Sequence, residues 1–526
     1  MSNLRIGGLS SGLDTDQIIE DLMKARRMRV DSLKQKKQQS EWQREDLRTI
    51  NNTLRALRDT AFNMKLQGAY QAKKAASSNE AAVTASAGAL AAAGSYIVTV
   101  TQLAQGVSKG SQDSLAEESN ADGTVKTLKE QFSLPDSITF TLEGKMKADG
   151  SGTRYSQSFT IDTTTATINT LVSEINKHSG TLGITASYDS GNNRFFLATN
   201  GTGPDYGIKA AADPDGLLSD AGGDGSGKLK LLLQTGTLYQ GQNAQFSIGD
   251  TPAMTSATNN VTVNGITLTL KQGGGATSTI TVTRDTDAVY NSIKSFIDQY
   301  NSAIDTINKE LSEERYKDYL PLTDDQREQL SDEQEKAWEE KARSGMLRND
   351  SYLAGVVGKM RSAVGGKVSG ITPVTIDGKS VTHNSLASIG IITGQYTEGG
   401  KLYLKNDGAD LKKAIQDDPE GVMKLFANVS ATYEEQGIAR RLYDVAANAV
   451  NGVIDRAGVE STYTLYDKSV LGKRLADYDK RIKDMENSLV KTEDRYYRQF
   501  TALEKAISRM NAQSAWLAQQ FNPGSR

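Results

Sequence analysis

The feature that most narrows what this chain can become is a heptad run near its C-terminal end. From Leu475, the side chains of Tyr478, Ile482, Met485, Leu489, Thr492 and Tyr496 recur at steps of three and four, and Phe500, Leu503, Ile507, Met510, Ser514, Leu517 and Phe521 continue them. That spacing predicts a coiled-coil seam. Two four-residue steps meet at Tyr496, a stutter that locally unwinds a supercoil without ending the helix. No proline intervenes before Pro523. At 1.5 Å per residue the helix from Leu475 to Phe521 runs about 70 Å, far beyond the width of a small domain. Each apolar side chain buried on the seam contributes roughly 1.5–3 kcal/mol, a gain that is absent without a facing helix. The sequence therefore predicts a partner for this helix outside a compact body.

A length of 526 residues predicts several domains, about three to four at ~150 residues each. Lys and Arg total 61 against 64 Asp and Glu, a net charge of -3, so nothing global draws the chain to nucleic acid or to an anionic membrane. There is no cysteine, which excludes disulfides, thiolate zinc sites and cysteine nucleophiles. The opening MSNLRIGGLSSGLDT has neither a basic n-region nor an apolar h-region, so any export is expected to use a route other than a secretory signal peptide. The small-residue stretch from Ala81 to Ala104 falls short of the ~20 apolar residues of a membrane span, and the chain is expected to be soluble.

Asp14 is an expected N-cap with Gln17 three residues on, and Ile18, Ile19, Leu22 and Met23 begin a second long helix. The basic run of Lys24, Arg26, Arg27, Arg29, Lys34, Lys36 and Lys37 reads as a solvated face. Lys34 to Asp46 is almost wholly polar apart from Trp42, after which Leu47, Ile50, Leu54, Leu57, Ala61 and Met64 form another seam; the polar gap reads as a joint between two packing environments. From Ala75 to about Arg284 the texture is β-rich, as in Tyr96-Ile97-Val98-Thr99-Val100. Asn264-Gly265 and Gly273-Gly274-Gly275 predict hairpins there. An amphipathic helix at Ile168, Leu171, Val172 and Ile175 leads into a predicted hairpin, Ile184 to Ala198. Helical spacing returns at Val289, Ile293, Phe296, Ile297, Tyr300, Ile304 and Ile307, so the β region is an insertion between helices. Thr323 with Gln326, and Ser331 with Gln334, predict two capped, charged helices carrying Trp338. A further helix is expected near Ser351 to Val364, a hairpin at Asp377-Gly378, and helical spacing again at Leu411, Ile415, Val422, Leu425 and Phe426.

No catalytic constellation emerges. GGDGSGK at Gly222 to Lys228 has the spacing of a phosphate loop, but Leu229 stands where a Ser or Thr must hold magnesium, and the segment reads as a turn. Asp213, Asp215, Asp220 and Asp224 lack the order of a calcium loop. His178 and His383 have no carboxylate at ligand spacing and read as surface or turn residues. No metal, cofactor or catalytic residue is expected.

Several blocks in order resemble one family. Gly7-Gly8-Leu9-Ser10-Ser11-Gly12-Leu13-Asp14-Thr15 at the start and Tyr496-Tyr497-Arg498-Gln499-Phe500-Thr501-Ala502-Leu503-Glu504 near the end closely resemble the bacterial flagellar filament cap proteins, the hook-associated protein 2 family. Ile168 to Ala198 looks like the IN motif of flagellins and hook proteins. Gly241-Gln242-Asn243-Ala244 with Gly265 to Leu270 resembles the family's head, and Ser385 to Ile391 and Gly400 to Leu404 are further family-like blocks. The charged segment Leu311 to Ser344 departs from what every member is expected to carry.

The resemblance implies a multidomain α+β fold with long terminal helices forming a coiled coil, a helical leg domain with a small β-hairpin element, and two inserted β-rich head domains. The expected divisions are a terminal coiled coil at 1–45 with 470–526, a leg at 46–75 with 285–469, an inner head at 76–129 with 236–284, and an outer head at 130–235 containing the IN motif. Oligomer or filament contacts are expected from Ile19, Leu22, Leu475, Ile482, Met485, Leu489, Tyr496, Phe500, Leu503, Ile507, Met510 and Leu517. The leg seam is expected from Leu47, Ile50, Leu54, Leu57 and Met64. The implied role is structural: a ring-like homo-oligomer at the distal tip of the flagellum, secreted and extracellular, that adds flagellin. Further implied partners are the hook-filament junction protein, a cytoplasmic export chaperone and the flagellar export apparatus, with no nucleic acid and no membrane span. The alternative is a surface adhesin that binds host cells or mucin through the β-rich head.

Overall fold

The computed structural model describes residues 14–121, 123–395, 398–459 and 467–521, with side chains as far as 518. The first element, α1 (Thr15–Met64), is one uninterrupted helix of 50 residues, capped by Asp14, whose Oδ1 accepts from the Gln17 amide at 3.0 Å. The chain then runs through β1 (Lys73–Ser77), β2 (Val83–Ala87), β3 (Gly94–Gln102), β4 (Ser108–Gly110), α2 (Leu128–Phe132), β5 (Ser137–Met146) and β6 (Arg154–Asp162). Next come α3 (Ile168–Lys177), α4 (Ser179–Leu182), β7 (Ile184–Asp189), β8 (Arg194–Thr199), β9 (Gly207–Ala212) and β10 (Tyr239–Gln240). Five strands return: β11 (Ala244–Ile248), β12 (Met254–Ser256), β13 (Asn260–Val263), β14 (Ile266–Leu270) and β15 (Ala276–Arg284). Helices then dominate, with α5 (Thr286–Ser312), α6 (Asp324–Arg327), α7 (Asp332–Arg343) and α8 (Ser351–Gly365). Two small hairpins follow, β16 (Val374–Ile376) with β17 (Lys379–Val381), and β18 (Ile391–Thr393) with β19 (Leu402–Leu404). The chain closes with α9 (Ala409–Asp417), α10 (Pro419–Ala427), α11 (Ile438–Ala457) and α12 (Val470–Phe521), the last of 52 residues.

These elements form two compact units, Gln71–Asp285 and the helical remainder, Met1–Tyr70 with Thr286–Arg526. The β unit has two separate cores. One lies between the sheet β1-β15-β3-β11-β12 and the sheet β13-β14-β2, and is filled by Val98, Val100, Phe246, Leu268, Ile280 and Val282. The other lies among the sheet β10-β9-β5-β6, the sheet β4-β8-β7 and α3, and is filled by Phe140, Ile168, Leu171, Phe195 and Leu197. The second core takes in Val107, Leu115 and Leu128, so the handover falls earlier than the 129/130 division. The reason is strand pairing: β4 adds Ser108 to Gly110 onto β8, and the polar stretch after it carries no periodicity that would reveal this.

Asn264 and Gly265 take φ of 50° and 76° and turn β13 back onto β14. Gly273 to Gly275 does not make the expected hairpin. It carries the chain from β14 in one sheet to β15 in the other, with Gly274 and Gly275 donating to Thr101 and Val100 of β3. Glycine supplies flexibility for a crossover as readily as for a tight turn, so local chemistry alone does not separate the two. Three asparagines imitate a peptide group. Asn176 of α3 both accepts from and donates to the backbone of Ala186 at 2.8 Å, Asn301 does the same at Leu402, and Asn259 pairs likewise with Ala104 at 2.7 and 2.9 Å. The first covers the free side of β7, at the edge of its sheet.

In the helical unit the second half of α1 lies on α5 and α11. Leu47, Ile50, Leu54, Leu57 and Met64 are all buried, together with Ile293, Phe296, Tyr300, Leu442 and Val453. The Tyr300 ring is enclosed and its hydroxyl donates to the Gly400 carbonyl at 3.2 Å. Burial pushes that phenol well above its ordinary value.

Candidate assembly surface

The first half of α1 and the first half of α12 pair antiparallel. Lys37 Nζ lies 2.6 Å from Asp479, Val30 and Leu33 pack on Ile482, and the Arg26 guanidinium sits over the Tyr496 ring, so numbers rise on one helix as they fall on the other. On α1 the facing positions are Ile19, Met23, Arg26, Val30, Leu33, Lys37 and Ser40, an unbroken alternation of steps of four and three. Val30 and Leu33 were missed in the sequence because Arg26 and Lys37 occupy seam positions within a basic run. The heptad spacing alone, read through those charges, would have found them. The hydrogen bond to Asp479, set against burial, raises the Lys37 ammonium above its ordinary value. Burial raises the Asp31 carboxyl, with Lys34 pulling the other way.

The predicted contact seam thus divides. Ile19, Leu475 and Ile482 are buried at 2 %, 5 % and 9 % exposure, and Met485 and Leu489 are half-buried against the same small cluster. The packing of Ile482, Met485 and Leu489 needs no second chain, because Val30 and Leu33 of α1 supply the facing surface. Beyond Leu489 none of the described side chains of α12 is buried. Tyr496, Phe500 and Ile507 are half-exposed, while Leu503, Met510 and Leu517 are 45 %, 62 % and 41 % exposed, joined by Val490 and Trp516. Leu22 of α1 is also exposed, at 41 %. The expected terminal phenylalanine of the seam, Phe521, lies outside the described side chains, and the family-like block Gly7 to Leu13 lies outside the described residues.

The chemistry-bearing residues are otherwise engaged. Asp213 accepts from the amides of Leu217, Leu218 and Ser219. Asp220 fills the concavity of the GGDGSGK loop itself, accepting from Gly223, Asp224 and Gly225. Burial works to raise the Asp220 carboxyl, yet these amides outweigh it and hold it below the usual range. His383 corrects the sequence reading. It is buried at 4 % exposure and its Nδ1 lies 2.9 Å from Asp418 Oδ2, a carboxylate that also caps α10 through the Gly421 amide. The two residues stand 35 apart along the chain and meet only in the folded protein, which sequence spacing does not reveal. Among the described residues no cluster of three His, Asp or Glu is placed to hold a metal ion, and no helix is long and apolar enough to cross a membrane.

The family model for the flagellar hook-associated protein 2 N-terminus matches residues 11–106, and that for its C-terminus matches residues 241–512. Flagellar hook-associated protein 2 of Halalkalibacterium halodurans is 32 % identical over 98 % of this chain and 100 % of its own length. The protein of the same name from Thermotoga maritima is 29 % identical over 76 % of this chain and 58 % of its own length. In fold, the chain is similar to a crystal structure of the flagellar cap protein FliD D1-D2-D3 domains from Escherichia coli, with a TM-score of 0.50 and 20 % identity over 82 % of this chain and 99 % of that one.

Proposed function

Because this chain belongs to the flagellar hook-associated protein 2 family, we propose that it caps the distal end of the bacterial flagellar filament as a homo-oligomer and promotes incorporation of exported flagellin. The role is structural: the protein guides flagellin subunits into place and prevents their loss without catalysing a covalent step. It acts outside the cell, at the tip. The hook-filament junction protein, an export chaperone and the export apparatus are the further partners that assembly at that place requires. No observation among the described residues favours the adhesin reading over this one.

The observation that carries the proposal is the apolar stripe on the second half of α12, where Leu503, Met510 and Leu517 are exposed and Phe500 and Ile507 half-exposed, continuous with a first half already anchored on α1. An apolar stripe on a regular helix is stabilised only when a facing surface removes it from water. Sister chains and the filament supply that surface. Leu503→Asp with Ile507→Asp tests this, since both positions are partly solvated and the monomer loses little. Circular dichroism and the thermal midpoint are expected to match the parent while light scattering shows loss of the oligomer and a motility complementation assay shows no filament growth. Normal filaments from that variant overturn the proposal.

A further inference from the structure

Two features of the sequence remain without a role: the polar gap in α1 from Lys34 to Asp46, and the charged segment between α5 and α8. The structure brings them together. Residues on the amino side of the gap pack on α12, and residues on the carboxyl side pack on α5 and α11. Within the gap Ser40 and Trp42 are buried, but there is no continuous apolar seam. Beyond Ser40, Trp42 and the Lys37–Asp479 pair, a helix there has little apolar packing of its own to hold it straight.

The charged segment attaches to α1 at both ends of this gap. At one end Arg343 of α7 reaches Asp46 at 2.8 Å and Glu45 at 3.2 Å. At the other, the Gln35 side-chain amide donates to the Pro321 carbonyl at 2.8 Å, and Lys34 lies 3.7 Å from Asp324 while also 3.4 Å from Glu486 of α12. Pro321 and Leu322 are buried beside it, and a groove of about 380 Å³ runs between α1, α12 and this segment. Between its two attachments the segment is internally stiff. Arg327 joins α6 to Glu335 and Glu339 of α7, Trp338 Nε1 donates to the Leu320 carbonyl at 2.8 Å, and Arg315 donates to the carbonyls of Ala342 and Ser344. The span bridged along α1, from Lys34 to Asp46, is about 18 Å.

We infer that the segment from Glu313 to Asp350 is a splint across the polar gap of α1, a conformational device that fixes the direction of the α1–α12 arm relative to the helical core. Without it, α1 bends where its two seams meet. Polar and ionic attachments make the splint sensitive to salt, because at 1 M the screening length is only about 3 Å.

The test uses the full chain, whose lack of cysteine permits selective labelling. Spin labels at Ser32→Cys and Asn52→Cys, both exposed, stand about 30 Å apart along a straight helix. The parent is expected to give a narrow distance distribution near that value. Adding Arg343→Met with Gln35→Ala, or 1 M NaCl, is expected to broaden it and to speed amide exchange over residues 34–46 about ten-fold, leaving 50–64 unchanged. An unaltered distribution and unaltered exchange in the double variant overturn the inference. So does loss of protection through 50–64, which makes the segment part of the core instead of a splint.

Discussion

Truncating Ile482 to alanine separates the anchored half of α12 from its free half. Ile482 is 9 % exposed and packs on Val30 and Leu33, the three buried residues of the cluster that joins the two terminal helices. Removing a buried isoleucine to the Cβ costs 2–5 kcal/mol in a closed core; here one side borders solvent and the site collapses easily, so about 2 kcal/mol is expected. At 1.4 kcal/mol per factor of ten, that makes opening of the arm about 30-fold more frequent. Amide exchange by mass spectrometry over residues 478–489 and 22–34 reads this directly, because local opening sets the rate there. Exchange around Leu54, Leu57 and Phe296, which belong to the other packing environment, stays as in the parent. Leu503→Ala, at a position 45 % exposed, is expected to cost less than about 0.5 kcal/mol and to leave the same peptides unchanged. Equal effects of the two substitutions, or no change over 478–489 for Ile482→Ala, refute the division of the seam.

Asp418→Ala removes the α10 cap and leaves His383 buried without its partner, so a loss of about 2–4 kcal/mol is expected in urea unfolding of the helical unit, more than for a surface cap alone. Asn176→Leu exposes the free side of β7, and the β unit is expected to lose about 1–3 kcal/mol and to self-associate, read by light scattering; a monomer of parental stability contradicts the capping role given to Asn176. Arg343→Met tests the electrostatics. Burial raises the carboxyls of Asp46, against the pull of Arg343, and of Glu310, where Asp46 and Glu313 add to it. A raised carboxyl opposes folding while ionised, and that opposition fades as pH falls through the folded value. The loss caused by Arg343→Met is therefore expected to be greatest at neutral pH and to shrink towards pH ~4, approaching the ordinary carboxylate range. A loss independent of pH contradicts this account.

The periodic elements were legible because their signal is local. Leu47, Ile50, Leu54, Leu57 and Met64 recur at helical spacing and are buried as one face. The turn at Asn264-Gly265 requires positive φ at both residues and takes it. Asp14, Thr323 and Ser331 cap the helices that follow them, as hydroxyl and carboxylate groups do wherever a helix leaves its first amides free. Less legible was whatever depended on who faces whom. Arg26 and Lys37 hid the seam of α1, since a charge reads as solvated until Tyr496 and Asp479 are seen opposite it. His383 looked isolated because Asp418 is near it only in space.

The amino-acid order by itself determined that both ends are long helices, that one carries an apolar stripe, that a β-rich insertion separates them, and which family's blocks appear and in what sequence. Periodicity and capping act within a few residues, so no tertiary contact is needed to read them. Tertiary structure alone decided how much of the stripe is spent inside the chain. A stripe records only that a side chain must leave water; what takes it out of water depends on the reach of the opposing helix, and α1 leaves every described side chain of α12 beyond Leu489 at least partly in water.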